Sequence, residues 1–435
     1  MDDYRSKIIL NETNKYNKQE NTMEKFNLIL FSAGKLVSLL GTYIYSFAIS
    51  LYILRVTGSG VSFALSILLG TLPRVILSPV AGSLSDRVDK RKMIVALDVL
   101  SGVIVLLLLA SSILYGLKLP FIYTATFLLA IISTFFNNCI SAAIPKLVTD
   151  KKLVTINSYN RAIDSGSQVL GPILAGMAFG FVSMNLFLLI NGISFILSAI
   201  SEIFIDFNLN KSRNEQKADG NINIKTILSD LREVFAYIKE TKFLLLLVLF
   251  SMTFNLLLTA SLTVVLPFLI INILGMSSIQ YGLIEGAFSV GMLLAALIIG
   301  KLPEKDKKLK SLTLGIIGMG LTMVMMGVPG LGLFRSMNIY IIFGIYIIMC
   351  LLFAFFLLMV DLPMAVVMQR TIPEHMLGRV MGVLGMISSS LMPLGIILAG
   401  VTMDIIPAYI LYFIAGIYFV ASGVFIFKHK AMQEY

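Results

Sequence analysis

Tryptophan is absent from this 435-residue chain, and only two cysteines and two histidines occur. The cysteines, Cys139 and Cys350, both fall inside apolar runs, so no disulfide scaffold is implied and both read as buried thiols. With only His375 and His429 available, and no His-Glu-x-x-His run, neither a histidine proton relay nor a zinc site is indicated. There is no Walker-type phosphate loop, and the glycines of "GIIGMGLTMVMMG" at 315–327 lie inside an apolar run as helix-packing residues. A Gly-x-Ser-x-Gly elbow is missing as well, so no enzyme, nucleotide, metal or cofactor is suggested. Charge is scarce: 13% of residues are charged, about half the share usual in soluble domains. A single water-soluble core does not grow to absorb a chain that is 57% hydrophobic at this length.

What the chain does have is long apolar runs. Runs of about 20 residues cross a bilayer as helices, because only helices and closed barrels satisfy their backbones in lipid. Six lie at about 27–54, 61–82, 93–115, 119–143, 159–182 and 184–206, and six more at about 243–272, 278–300, 311–332, 338–361, 377–401 and 404–427. The fold class expected is therefore an all-α polytopic membrane protein of 12 spans in two six-helix pseudo-symmetric bundles. The division is a polar tail at 1–26, a first bundle at 27–206, a charged linker at 207–242, a second bundle at 243–427 and a tail at 428–435. The first 25 residues lack the arrangement of a cleaved signal peptide.

Orientation follows from the basic residues. With the N-terminus inside, 29 of the 34 Lys and Arg fall in inner segments, three in outer loops and two within spans. Both termini are then cytoplasmic and the protein sits in the plasma membrane. The net charge of +10 is accounted for by these short loops; no basic face interleaved with aromatics is present, and no nucleic-acid partner is implied. The halves also echo each other. "GSLSDRVDKRK" after the second run parallels "GKLPEKDKKLK" after the eighth, and "IPKLVTDKKLVTIN…LGPILAG" parallels "IPEHMLGRVMG…LGIILAG". A duplicated bundle of this kind suits a carrier whose site lies between its halves.

The loop from 82 to 91 carries Gly82, Asp86, Arg87, Asp89, Lys90 and Arg91. Gly82 would let helices approach closely, and Asp86 could accept from a helix N-terminus, where an anion is favoured. This loop resembles the signature of the major facilitator superfamily, with Asp89 in place of its second glycine. The fuller run "GSLSDRVDKRKMIVALD" is most similar to bacterial drug, macrolide and siderophore efflux permeases of that superfamily. The resemblance implies a major facilitator fold, alternating access, and a gating role for Gly82, Asp86, Arg87, Lys90 and Arg91, with Asp86 reaching the start of the eleventh span near Gly378 and Arg379. "GSQVLGPILAG" resembles the antiporter motif of superfamily exporters through Gly171, Pro172 and Gly176, with Ala175 replacing one glycine.

Polar residues recur at helical spacing on single faces: Lys35, Ser38, Thr42 and Tyr45 on the first span, and Ser251, Asn255, Thr259 and Thr263 on the seventh. The fourth span adds Ser133, Asn137 and Ser141. Lipid-facing helices do not line up polar groups, so these faces point inward, either as interhelical hydrogen bonds or as a wetted cavity. Ser38, Thr42, Asn137, Asn255 and Thr259 are the cavity candidates. Lys35 and Arg74 lie about 12 Å inside their spans, and Asp98 is the expected partner of Arg74. Glu285, about 10 Å inside the eighth span, is the leading proton-coupling candidate, since a carboxyl withdrawn from water can load and release a proton as access alternates. Asp164, Glu202, Asp361 and Asp404 sit near span ends, where solvated or capping roles are expected. The function expected is export of small amphipathic compounds in exchange for protons. Alternatives are a dedicated exporter or flippase of a siderophore or lysolipid, and a non-transporting sensor or scaffold.

Overall fold

The computed structural model describes residues 2–149, 152–207, 209, 236–299, 308–334, 337–372 and 374–428. Among the described residues the regular structure is entirely helical. Helices α1 (Asp2–Thr57), α2 (Gly60–Arg87), α3 (Lys90–Tyr115), α4 (Leu119–Leu147), α5 (Leu153–Phe181) and α6 (Met184–Ile203) form the first half. Then come α7 (Lys242–Thr259), α8 (Ser278–Ile299), α9 (Lys308–Gly327), α10 (Ile339–Thr371), α11 (Glu374–Ser389), α12 (Met392–Met403) and α13 (Ala408–Lys428). Much of the linker, 210–235, lies outside the described residues.

Eleven of these segments, with α11 and α12 contributing one between them, are long and apolar enough to cross a membrane. The exception is the fifth expected span. Helix α5 has 29 residues, ample length, but carries Asn157, Asn160, Arg161, Asp164 and Gln168 from its first turns to its middle. Large side chains such as Leu107, Leu297 and Ile417 stay more than three-fifths exposed on the outer faces of their helices. Apolar surface on that scale is what a lipid-embedded bundle presents, and the chain is a multi-pass membrane protein.

The first helix departs from expectation. The polar segment assigned to a tail is helical and continuous with the first span. Its last residues are structural: Glu24 is 2% exposed and accepts from the Thr149 backbone N–H at 2.8 Å, with Lys152 Nζ at 2.6 Å. Asn27, fully buried, donates to the Leu147 and Asp206 carbonyls and accepts from Asp206 N–H. Two side chains, well inside α1 where the polar segment meets the first span, thus fasten it to the ends of α4 and α6.

Compactness divides the chain into two units that do not part at its midpoint. The first comprises Met1–Ser46, Leu69–Gly171 and Val182–Asp219; the second comprises Phe47–Leu68, Pro172–Phe181 and Gly220–Tyr435. In the first unit, Phe31, Ile94, Phe136, Ile140 and Leu147 build a buried core. Helices α3 and α6 cross closely, since a Cβ on Gly102 would lie 3.0 Å from the Gly192 carbonyl oxygen. In the second unit, Leu51, Leu54 and Phe63 from α1 and α2 join the core of α7–α13 beside Tyr346, Phe353, Tyr412 and Phe419.

The seventh span is not a uniform α-helix. After α7 it widens into π-helix at Ala260–Val265, tightens for Leu266–Phe268, and widens again at Leu269–Ile273. Pro267 lacks the N–H an α-helix would need, and backbone bonds lengthen by one residue on both sides, Leu266 N–H to Ser261 and Leu274 N–H to Leu269. Gly275, at φ +67°, then turns the chain.

Candidate functional site

The polar stripe of α1 lies within the first unit and its side chains are engaged with neighbouring helices. Lys35, 5% exposed, pairs with Asp164 on α5 at 2.5 Å and also donates to Asn160. One turn on, the Ser38 hydroxyl donates to Asp98 Oδ1 on α3 at 3.0 Å. Thr42 donates back to the Ser38 carbonyl, and Tyr45 meets Thr126 on α4 at 3.4 Å. The stripe therefore joins α1 to α5, α3 and α4, the interhelical alternative for Ser38 and Tyr45. On α7 the Asn255 amide donates to the Ser251 carbonyl of its own helix. Asn137, Asn255 and Thr259 are partly exposed.

Two charge assignments are corrected. Asp98 meets Ser38 rather than Arg74, and Arg74 is exposed. Glu202, expected near solvent at a span end, is 2% exposed on the last turn of α6. Sequence reasoning passed over it because depth along a helix says nothing of which face a residue occupies.

The loop at 82–91 closes α2 and opens α3. Asp89, the departure from the superfamily pattern, is the N-cap of α3, its Oδ1 accepting from Lys92 N–H at 3.2 Å. An Asp serves there because the first-turn N–H groups need an acceptor. Arg91 donates to the Ile203 carbonyl at the end of α6, a favourable site for a cation. Gly82 is not demanded by close packing: a Cβ there would sit 3.7 Å from Asn138 Oδ1, ordinary contact. The side chains of Asp86, Arg87 and Arg379 lie outside the described residues.

The antiporter-like motif is where backbones touch. Gly171 faces Tyr43 on α1, whose Cβ would lie 2.8 Å from an added methyl. In the second unit, a Cβ on Gly176 would fall 2.5 Å from the Ser278 carbonyl oxygen, and one on Gly282 would fall 2.4 Å from that of Pro172. No side chain fits at either glycine, so α5 and α8 cross backbone to backbone. Glu285 lies three residues beyond Gly282 and accepts the Tyr281 hydroxyl at 2.7 Å. Tyr281 is stacked on Phe47 of α1, ring centres 5.0 Å apart.

Further contacts in this unit gather around the start of α2. Asp404, just after α12, accepts from Gly60 N–H at 2.7 Å and from the Ser59 hydroxyl at 3.0 Å, and the Gly60 and Gly400 backbones lie in contact. Arg55 donates to the Ser278 hydroxyl at 2.8 Å and covers the Phe179 ring at 4.8 Å. The capping role expected of Asp404 is thus filled. Among the described residues no group of three or more metal-ligating side chains occurs.

Comparison with known proteins agrees with this architecture. The chain is 24% identical over 388 residues to macrolide efflux protein A of Streptococcus pyogenes, covering 88% of this chain and 92% of that protein. It is 22% identical over 384 residues to the multidrug efflux pump Tap of Mycolicibacterium fortuitum, covering 87% and 88%. The solved structure of the nucleoside transporter NupG superposes with a TM-score of 0.68 at 12% identity, covering 94% of this chain and 100% of that one. The family model described as Major Facilitator Superfamily matches residues 31–396, and the chain belongs to that superfamily of membrane transporters.

Proposed function

We propose that this transporter exports small amphipathic compounds, macrolide-like in character, in exchange for protons. The observation that carries the reading is the crossing of α5 and α8. The residues resembling an exporter motif, Pro172 and Gly176, touch the helix that bears Glu285, one turn from the contact at Gly282. Movement of that crossing would change the surroundings of Glu285, and a carboxyl whose access to water alternates can carry a proton with each cycle. The named activities of the macrolide and multidrug efflux relatives favour export over uptake.

With both termini cytoplasmic, as the basic-residue bias favours, residues 47–68 and 172–181 belong to the outer ends of α1, α2 and α5. Their contacts with α8 and Asp404 then form an outer clasp that opens to release substrate. The plasma membrane is the matching location.

Reconstituted into vesicles with an imposed pH gradient, the protein should move a macrolide or a lipophilic cationic dye against its gradient, and Glu285→Gln should abolish that movement. Transport unaffected by collapsing the pH gradient would refute proton exchange. Failure to move any amphipathic compound in a panel would refute the export reading.

A further inference from the structure

Among the described residues, the first unit buries two acids with no cation bonded to either. Asp98 on α3 and Glu202 on α6 are each 2% exposed. Ser38 donates to Asp98 Oδ1, but Asp98 Oδ2 and both Glu202 oxygens have no hydrogen-bond partner among the described residues. Both stand against one stretch of α1, Asp98 at Ser38 and Glu202 beside Gly34 one turn earlier. Helix α6 also reaches α1 here, with Ser198 donating to the Gly34 carbonyl at 3.0 Å and Glu202 Cγ standing 3.7 Å from where a Cβ on Gly34 would lie.

The charged groups around the pair are committed elsewhere. From α1, Lys35 is held by Asn160 and Asp164; from α5, Asp164 answers Lys35; from α3, Arg91 is bound to the Ile203 carbonyl. Glu202 also occupies the last turn of α6, where the helix dipole opposes a negative charge. Two ionised carboxylates under these conditions would carry both desolvation and mutual repulsion, with only serine hydroxyls at Asp98 to offset them. A proton supplies what is missing, for a carboxyl O–H on either acid is the donor that the unpartnered oxygens lack.

We infer that Asp98 and Glu202 form a proton-binding site between α3 and α6, sharing one proton, separate from Glu285. A polar line leads to it: Asp164 is 42% exposed, Lys35 joins it, and Ser38 lies one turn from Lys35 beside Asp98. The pair's part in coupling rests on the export reading; its existence as a proton site does not.

The test uses the full chain in lipid vesicles carrying Glu285→Gln, with infrared difference spectra recorded across pH steps in sodium and in choline buffers. A carboxylic C=O band that grows on acidification, shifts in D2O, disappears in Glu202→Gln and is displaced in Asp98→Asn supports the site. A spectrum indifferent to Glu202→Gln overturns it. So does a band removed by sodium at constant pH, which would make the pair a metal-cation site. Should Glu202→Gln fail to fold, Ser38→Ala takes its place: loss of the donor to Asp98 must shift the band, and an unmoved band overturns the site. Export by the parent protein, with Glu285 intact, and by its Glu202→Gln variant in vesicles of the same lipid separates the two ideas. Proton-driven export with no Glu202-dependent band defeats the site alone, whereas the band without proton-driven export upholds the site and defeats the coupling reading.

Discussion

Asp404 and Gly60, 344 positions apart in sequence, share a hydrogen bond of 2.7 Å that starts helix α2. A carboxylate at a helix N-terminus satisfies orphan N–H groups and favours the positive end of the dipole. The major facilitator resemblance led to the expectation that an acid, Asp86, would hold the start of the eleventh span. Asp404 makes the reciprocal contact, from the end of that span to the start of the second. Asp404→Ala should lower stability by about 1 kcal/mol, with Asp404→Asn keeping most of it. Thermal unfolding in detergent, comparing the two variants, checks this; equal losses would mean that the cap is not what Asp404 supplies.

Gly176 and Gly282 should tolerate no enlargement. A methyl at either would overlap a backbone carbonyl oxygen, which has no rotamer to yield. Gly282→Ala and Gly176→Val should sharply reduce export, or prevent assembly, whereas Gly82→Ala should fold as the parent does, having ordinary space for its methyl. Expression, melting temperature and export for the three variants provide the comparison. A damaging Gly82→Ala with normal melting would locate its requirement in another step of the transport cycle.

Asn27 should be a stability residue despite lying at the edge of the predicted span. Its removal strands the Leu147 and Asp206 backbone groups in a buried setting. Asn27→Ala should cost about 1–3 kcal/mol. Substitution of Glu24 by Gln should weaken the Lys152 contact yet keep the Thr149 acceptor, and so cost less than Glu24→Ala. Ranking the melting temperatures tests both statements.

Tyr281→Phe should alter the pH dependence of export while preserving the fold. It deletes the 2.7 Å bond to Glu285 and leaves the ring stacked on Phe47. An export-against-pH profile identical to that of the parent would sever Tyr281 from the chemistry of Glu285.

The membrane-spanning helices were legible because they depend on residue type along one dimension, apolar length. Contacts between helices depend on rotation about each axis, which composition does not report. Depth alone made Arg74 a natural partner for Asp98, yet the residue on the correct face was Ser38. Lys35 was recognised as buried, but its partner Asp164 had been assigned to a solvated span end. The polar first half of α5 was itself the signal for that pairing, since so many polar groups in one span need a partner helix. Pro267 carried a similar signal for the π-helical seventh span, because a proline deep in an apolar run must displace its helix's hydrogen bonds. The exporter-like glycines were readable as close-packing residues; that Gly282 is what they pack against required the fold.

Cys139 and Cys350 are 0% and 1% exposed, one in each compact unit. Because burial keeps both from a water-borne maleimide, the natural chain already serves as a background for site-directed thiol labelling. A cysteine introduced at exposed Val61, whose backbone faces Asp404, would take a spin label or dye almost alone, so movements of the clasp near Asp404 can be followed without first removing the native sulfurs.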